Sequence, residues 1–213
     1  MVIEKSEECK KNILESAQKE FVLQGYHDSS MRIIAKNAGV TTGAIYRYYP
    51  NKDSLFLAVT KSAVESFYQM YDQAYDQTVE DAFQGISYTE KSNKQGSQSS
   101  LAAMYDLIYE QFDKFYLLAN YSHETIKGSF LQELVERETK TWIKYIEILK
   151  NKYNSNYVIN KNSLHIICEV YIKAIFEPIC HKMDKETAIA EATFFRQFFI
   201  DGCLGIEKII KNN

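Results

Sequence analysis

The chain has 213 residues, of which 46% are hydrophobic and 25% are charged, and its net charge is −3. This length exceeds one small domain and permits two, while the acidic balance argues against a protein that coats nucleic acid indiscriminately. Only two prolines and eight glycines interrupt the sequence, so long helices are expected. We therefore expect an all-α fold.

The first predicted helix carries apolar side chains on one face, namely Ile13, Leu14, Ala17 and Phe21. Gly25 is expected to end this helix, because glycine is common just past a helix C-terminus. The polar residues 1–10 are expected to fray, or to reach a phosphate through Lys5, Lys10 or Lys11.

Residues 25–55 have the spacing of a helix-turn-helix motif. Ala35 is small where two helices must approach closely, and Gly39 falls in the turn, where a positive φ is cheap only without a Cβ. The positions that should face inward are apolar: Ile34, Ala38, Val40, Ile45 and Tyr48. The candidate helix caps carry hydroxyl groups: Ser29 and Ser30 for the first helix, Thr41 and Thr42 for the second.

The second helix of this motif has an unusual free face. If Ile45 points inward, the outward positions at 3.6-residue spacing are Thr42, Gly43, Tyr46 and Arg47. A hydroxyl, a missing side chain, a phenol and a guanidinium do not belong in a core, but they suit a DNA major groove and its phosphates. The alternative is a solvated helix in an ordinary bundle.

The segment from about residue 10 to residue 57 closely resembles the N-terminal DNA-binding domain of TetR-family transcriptional regulators. The resemblance is carried by Gly25-Tyr26, Ser29-Ser30, Ile34-Ala35, Ala38-Gly39-Val40 and the stretch Tyr46–Leu55, which follows the family pattern Tyr-x-Tyr-Phe-x-x-Lys-Asp/Glu-x-Leu. Tyr49 stands where Phe is usual, Ser29 where Thr is usual and Arg47 where His is frequent. These departures affect the expected base specificity and not the resemblance itself.

We predict contacts with double-stranded DNA from nine residues: Ser30, Thr41, Thr42, Gly43, Ala44, Tyr46, Arg47, Tyr49 and Lys52. Thr42, Gly43 and Arg47 would read bases or shape. The residues that would hold phosphates are Thr41, Tyr46, Tyr49 and Lys52. Lys52 lies in the first turn of the next helix, where a cation opposes the helix dipole, and the resemblance implies that it contacts a phosphate. The alternative is a solvated lysine.

The next helix is expected to start at Pro50-Asn51, with Asn51 as its cap, and to continue towards Ala74. At 1.5 Å per residue it would span about 30 Å. It would join a helix-turn-helix DNA-binding domain at 1–51 to a helical ligand-binding and dimerisation domain at 52–213. Residues 1–57 carry a net charge of +1 and the remainder −4, which suits a protein that must bind DNA and also leave it.

The polar segment from Gln84 to Ser100 is predicted to be a loop or a ragged helix end. Four helices should follow: Leu101 to about Asn120, one starting after Gly128, and, beyond a loop at Asn154–Asn162, two final helices at about 163–180 and 185–210. The last two are apolar on more than one side, so a partner subunit is expected to cover them. TetR-like regulators dimerise through their two final helices, and the resemblance thus implies a homodimer through about 163–210, on a palindromic operator.

The C-terminal domain is rich in rings, and the whole chain has 16 Tyr and 12 Phe. Each ring alone is expected to be core, but together they suggest a pocket for a lipophilic or aromatic ligand. Glu138 falls on an apolar stripe, where a carboxylate is expensive unless it is paired. The candidate ligand-binding residues are Tyr105, Phe112, Tyr116, His123, Glu138, Trp142, Tyr145, Cys168 and Tyr171. A structural role remains open for each of them.

The four cysteines show no spacing typical of zinc sites, and we expect no metal and no cofactor. His165 with Cys168, or Cys180 with His181, supplies only two ligands. With no signal peptide and no apolar run near 18 residues, the protein is expected to be cytoplasmic, without a membrane partner, and to hold buried, reduced thiols. A redox sensor is the alternative.

The function that we expect is repression of transcription by a homodimer, released from its operator by an unknown small-molecule effector that swings the helix beginning at Lys52. The alternative is a TetR-like protein controlled by a protein partner, or a structural nucleoid protein with no inducer. We expect no enzyme, because the sequence has no phosphate-binding glycine loop, GxSxG or HExxH motif.

Overall fold

The computed structural model describes residues 2–84, 86, 96–125 and 129–212, and every regular element in these ranges is a helix. The helices are α1 Val2–Asp28, α2 Met31–Asn37, α3 Thr42–Tyr48, α4 Lys52–Phe83, α5 Gly96–Glu110, α6 Phe112–Tyr121, a 3-10 turn at Ser122–Glu124, α7 Phe130–Tyr153, α8 Lys161–Cys180 and α9 Lys185–Asn212. The all-α class is confirmed. No helix in the described ranges is long and apolar enough to cross a membrane.

The chain forms two compact units. The first comprises Met1–Glu65 and Gln111–Phe130, and the second Ser66–Glu110 and Leu131–Asn213. These units are defined by packing, whereas the division into 1–51 and 52–213 is one of function and stays a prediction.

The core of the first unit lies between α1, α2, α3 and the start of α4, with a contribution from α6. Its fully buried side chains include Phe21, Ile34, Ile45, Phe56 and Leu117. This core explains why α1 is needed, because the short α2 and α3 could not bury both of their apolar faces without it.

Two glycines with positive φ lie near the C-terminal ends of α1 and α2. Gly25 interrupts α1 with φ 76° and ψ 175°, which confirms the predicted end of the regular helix, and Gly39 has φ 70° in the turn. The expectation that residues 1–10 fray is wrong for the described backbone, which is helical from Val2 onward.

The helix predicted from Leu101 to Asn120 is divided in two. Gln111 has φ −121° and ψ 37°, so α5 ends at Glu110 and α6 begins at Phe112. The apolar spacing continues across this position and no glycine or proline marks it, which is why the pattern predicted one helix. The division assigns α6 to the first unit and α5 to the second.

In the second unit, α5, α7, α8 and α9 surround a core rich in large side chains. Tyr105, Tyr145 and Phe176 are all buried, and the Tyr105 hydroxyl donates to the carbonyl oxygen of Ile175 at 2.6 Å. Asn160 caps α8 by accepting from the backbone N–H of Ser163 at 3.1 Å.

The predicted loops are only partly described. Of the polar segment Gln84–Ser100, residues 85 and 87–95 lie outside the described residues, while α5 already begins at Gly96. Gly128, the predicted start of a helix, also lies outside them, and α7 begins at Phe130.

Candidate nucleic-acid interface and ligand cavity

The helices α2 and α3 form a helix-turn-helix. Ile34 and Ile45 are fully buried, and the other predicted inward residues, Ala38, Val40 and Tyr48, are partly buried against the same core. The turn is closed by backbone hydrogen bonds from Gly39 to Lys36 at 3.2 Å and from Val40 to Ala35 at 3.0 Å. The predicted motif is therefore confirmed.

The two helix starts are capped differently. Thr41 caps α3, since its Oγ1 accepts from the backbone N–H of Ala44 at 3.2 Å, as predicted. Ser30 is the N-cap residue of α2 but its side chain makes no capping bond. Instead, its backbone N–H donates to the Glu20 carboxylate at 3.2 Å.

Glu20 is buried, and its bond to the start of α2 was not among the predictions from the sequence. A signal was present, because Glu20 lies three residues after Ala17 on the inward side of α1. An acidic residue on an apolar face needs a partner, and an uncapped helix start supplies N–H donors.

The outward face of α3 is as predicted in its exposure. Gly43 and Arg47 are exposed, Tyr46 is 49% exposed, and Thr42 is half-buried. Ala44, Tyr49 and Ser30 are also half-buried. Burial raises the pKa of the Tyr49 hydroxyl, so this group stays protonated and can donate a hydrogen bond at neutral pH. Contacts between these residues and DNA stay a prediction.

Lys52 has intramolecular partners. Its ammonium donates to the carbonyl oxygens of Tyr26 at 2.6 Å, His27 at 2.8 Å and Ser29 at 3.4 Å. It also lies 4.7 Å from the centre of the Tyr26 ring. The lysine thus satisfies carbonyl groups at the end of α1, and a phosphate contact, which stays a prediction, would have to share these donors.

The start of α4 is held by further contacts. Asn51 Oδ1 accepts from the backbone N–H of Ser54 at 2.7 Å, which confirms the predicted cap. The Tyr26 hydroxyl donates a short hydrogen bond to the Asp53 carboxylate, and burial together with this bond raises the pKa of Tyr26. Tyr26 and Lys52 therefore join the end of α1 to the first turn of α4, a link that the sequence pattern did not reveal.

A cavity of about 110 Å³ lies in the second unit between α4 and α7. It is lined by Tyr71, Ala74, Tyr75, Thr78, Glu138, Thr141, Trp142 and Tyr145. Three of these, Glu138, Trp142 and Tyr145, belong to the predicted ligand-binding set. Tyr71 and Tyr75 were missed, although they repeat at a four-residue interval along one face of α4.

Glu138 is the central polar group of this cavity. Its carboxylate accepts from the Tyr71 hydroxyl at 2.5 Å and from Trp142 Nε1 at 2.9 Å. Burial raises the pKa of Glu138, and these two hydrogen bonds only partly offset the rise.

The other predicted ligand residues lie elsewhere. Tyr105 is in the core of the second unit. Phe112, Tyr116 and His123 belong to the first unit, where His123 is exposed and lies 3.8 Å from the carboxylate of Glu124. The structure therefore does not bring the predicted set together in one cavity, and ligand contacts from these residues stay predictions.

A second depression, of about 320 Å³, follows α8 and α9. Its lining is apolar and includes Val170, Tyr171, Phe195, Phe198 and Cys203. The Tyr171 ring stacks on Phe199 with their centres 4.2 Å apart.

Three cysteine thiols lie in surroundings that disfavour ionisation. Burial raises the pKa of Cys168 to about 12 and also raises the pKa of the buried Cys203 and the half-buried Cys180. The raised pKa values disfavour the thiolate, which is the reactive form of a cysteine. Within the ranges that the structure describes, no group of three or more His, Cys, Asp or Glu side chains could hold a metal ion.

A helix-turn-helix whose second helix has a buried anchor and an exposed polar face is the arrangement found in helix-turn-helix DNA-binding domains. Residues 13–59 match the family model for bacterial regulatory proteins of the tetR family. The HTH-type transcriptional regulator YhgD of Bacillus subtilis (strain 168) is 37% identical over 67 residues, which are 32% of this chain and 35% of that protein. The chain thus spans about a third of the length of the curated relatives it matches.

Solved structures extend the fold comparison to nearly the whole chain. A TetR-like transcriptional regulator from Rhodococcus sp. RHA1 aligns with a TM-score of 0.56 and 17% identity over 92% of this chain and 96% of its own. A γ-butyrolactone receptor (ArpA-like protein) aligns with a TM-score of 0.52 and 15% identity over 96% and 98%. Residues 13–59 therefore form a helix-turn-helix domain that matches the tetR family, and the likeness to solved structures shows that the chain shares its fold with TetR-like regulators.

Proposed function

We propose that this protein is a DNA-binding transcriptional repressor that acts as a homodimer in the cytoplasm. It would bind a palindromic operator and leave it when a small lipophilic or aromatic molecule binds its second unit. The observation that carries the proposal is the outward face of α3, where Gly43, Tyr46 and Arg47 are exposed around the buried anchor Ile45.

The chemistry of this face suits DNA. Arg47 offers a guanidinium that can bind a guanine edge or a phosphate, and Gly43 lets the helix backbone approach closely. Tyr46 and Thr41 offer hydroxyl groups for phosphates. Because α3 has only seven residues, one such helix reads few base pairs.

A second copy of the chain would supply the second reading helix. On α8 and α9, Ile166, Val170, Phe194 and Phe198 are exposed apolar residues, with Val170 at 64% and Phe198 at 76%. A contiguous exposed apolar face of this kind is typical of a protein interface. Two α3 helices related by a two-fold axis would then contact half-sites about 34–36 Å apart or wider.

The cavity around Glu138 supports control by a small molecule. It combines aromatic walls with a few polar groups, which is typical of ligand sites, and a protein of similar fold is a γ-butyrolactone receptor. A ligand can release DNA only if it binds the released conformation more tightly than the DNA-bound one.

The test is footprinting of the purified protein on its own upstream DNA, with and without a panel of lipophilic, aromatic and cationic compounds. We expect one protected palindrome and its loss with at least one compound. Protection that covers DNA broadly would instead favour a nucleoid role. Specific protection that no compound relieves would favour control by a protein partner.

A further inference from the structure

The carboxylate of Glu138 is held by hydrogen bonds but by no cation. Its two oxygens accept from Tyr71 and Trp142, and no lysine, arginine or histidine in the described ranges forms a salt bridge with it, the neighbouring Arg137 being paired with Asp72 and Glu133. Glu207, a buried carboxylate of the same unit, differs in this respect. It accepts from the Tyr145 hydroxyl at 2.6 Å and also lies 3.6 Å from the ammonium of Lys211.

Neither hydrogen bond to Glu138 brings a positive charge that could compensate an ionised carboxylate. Tyr71 and Trp142 are neutral donors, and burial of Glu138 disfavours its ionised form more than they favour it. A carboxylate in such surroundings is costly unless an opposite charge compensates it. The cavity thus holds a carboxyl group that ionises only at a cost, and within the described part of the chain no cationic side chain forms an ion pair with it.

The walls of the cavity are aromatic. Tyr71, Tyr75, Trp142 and Tyr145 all line it, and the Trp142 and Tyr145 rings stand nearly perpendicular, at 82°, with their centres 5.5 Å apart. Aromatic faces attract cations through the ring quadrupole, and tryptophan does so best. Several aromatic side chains beside one carboxyl group suit an organic cation.

The cavity is open to solvent on one side. Ala74, which lines it, is exposed, and Tyr75 and Thr78 are half-buried. The volume of about 110 Å³ is about a quarter below the roughly 150 Å³ of an engineered cavity that admits benzene. Because the cavity is open beside the exposed Ala74, a compact head group can enter it while the remainder of a ligand extends past Ala74.

We propose that this cavity binds the head group of a small organic monocation, either a quaternary ammonium or a protonated amine, against the Glu138 carboxylate and the rings of Tyr75 and Trp142. The inference rests on the proposed function, because it names the chemical class of the effector. A metal ion does not fit, since one carboxyl group among aromatic rings lacks the six or more oxygen ligands that hard cations require. An anion would be repelled by Glu138.

The experiment compares choline with 3,3-dimethylbutan-1-ol, its neutral isostere in which carbon replaces nitrogen. Isothermal titration calorimetry with the full-length protein measures both affinities. We expect choline to bind at least about tenfold more tightly than the alcohol, because only the cation gains from the carboxylate and the rings. Equal affinities, or no binding of choline at about 10 mM, would overturn the proposal.

Substitutions locate the site. E138Q should weaken choline binding at least about tenfold and leave the alcohol unaffected, whereas E136Q, which removes the same charge from an exposed position on the same helix, should change neither. Y75L should weaken choline binding, whereas Y75F should keep the wild-type affinity for choline, because phenylalanine keeps the ring face. Circular dichroism checks that each variant is folded. Choline binding that is insensitive to both E138Q and Y75L would place the cation elsewhere and overturn the assignment.

Different outcomes of these experiments would contradict the proposed function and the proposed cation site. If choline binds the cavity as described and the operator footprint is unchanged by it or by hexyltrimethylammonium, the cation site stands and ligand-controlled release does not. If another compound releases the operator while choline fails to bind, the repressor function stands and the cation site does not.

Discussion

The ammonium of Lys52, in the first turn of α4, donates to the backbone carbonyl oxygen of Tyr26 at 2.6 Å. The same ammonium reaches the carbonyl oxygens of His27 and Ser29, and the next residue, Asp53, accepts from the Tyr26 hydroxyl. Two adjacent residues of α4 therefore hold the end of α1 through both the backbone and the side chain of Tyr26.

Replacing Lys52 with methionine should lower the free energy of unfolding by about 1–3 kcal/mol, because carbonyl groups at the end of α1 lose a charged donor. Urea denaturation measures the change. K61M is the control, since Lys61 is exposed on the same helix and forms an ion pair with the exposed Glu65 at 3.6 Å, and it should cost less than about 0.5 kcal/mol. Equal costs for the two variants would contradict the role of Lys52.

The salt dependence of operator binding by K52M addresses the predicted phosphate contact. Loss of one phosphate contact lowers the slope of log affinity against log salt by about one. A slope reduced by that amount would give Lys52 the phosphate role, and an unchanged slope would leave it the intramolecular role alone.

Gly25 combines a positive φ with a crowded environment. A Cβ added there would lie 3.1 Å from the Tyr121 hydroxyl oxygen, whereas one added at Gly39, which also has a positive φ, would meet nothing within 4 Å. We expect G39A to cost about 1 kcal/mol for the positive φ and G25A to cost more, because the ψ of 175° at Gly25 lies in a region that essentially only glycine adopts and because Tyr121 must also move. Thermal or urea unfolding compares the two. If G39A proves as costly as G25A, contact with Tyr121 is not a factor.

The sequence predicted the elements whose signals are local. The buried pair Ile34 and Ile45, the positive φ of Gly39 and the Thr41 cap all follow from spacing and backbone chemistry within a few residues. The bond from the Ser30 backbone to Glu20 is different, because it joins residues of two elements, and a hydroxyl at a helix start gives no sign that a distant carboxylate will satisfy it.

The cavity around Glu138 was only half predictable for the same reason. Glu138, Trp142 and Tyr145 repeat along one helix, so their spacing indicated a common face. The opposite wall comes from Tyr71 and Tyr75 on α4, and no pattern in a single sequence shows which helix packs against which. The break at Gln111 was hidden too, since neither composition nor apolar spacing changes there.

Substitution of Arg47 tests directly whether α3 contacts the operator. R47A should weaken operator affinity about tenfold or more, because the exposed guanidinium can make a bidentate contact with a base or a phosphate. Fluorescence anisotropy with labelled operator DNA measures the affinity at two salt concentrations, and sedimentation checks that the oligomeric state is unchanged. K140A removes a positive charge from an exposed position on α7 and should have no effect. Unchanged affinity of R47A at both salt concentrations would refute the assignment.

The exposed apolar face of α8 and α9 predicts which substitution would dissociate the proposed dimer. F198D should shift the protein from dimer to monomer in analytical ultracentrifugation, because a carboxylate cannot be buried unpaired in an apolar interface. V158D is the matched control, since Val158 is 84% exposed in the loop before α8 and lies outside this face. Circular dichroism should be unchanged in both variants. A wild-type protein that sediments as a monomer at about micromolar concentration would sink the prediction.

Glu138 should make stability depend on pH in a direction opposite to that of a salt-bridged carboxylate. Because burial raises the pKa of Glu138 in the folded protein above its ordinary value of 4.5, the folded state holds this proton to higher pH than the unfolded state does. The contribution of Glu138 to folding is therefore most favourable below pH 4.5, and it is lost as the pH rises through the folded-state pKa.

E138Q removes this titration. Relative to the wild type, the variant should gain stability on the order of 1 kcal/mol at neutral pH and gain less at about pH 4. Urea denaturation at both pH values, with E136Q as the exposed control, measures the difference. Choline should raise the stability of the wild type more than that of E138Q, because the bound cation compensates a charge that only the wild type carries. A variant that is less stable than the wild type by the same amount at both pH values would show that the carboxylate of Glu138 serves only as a hydrogen-bond acceptor.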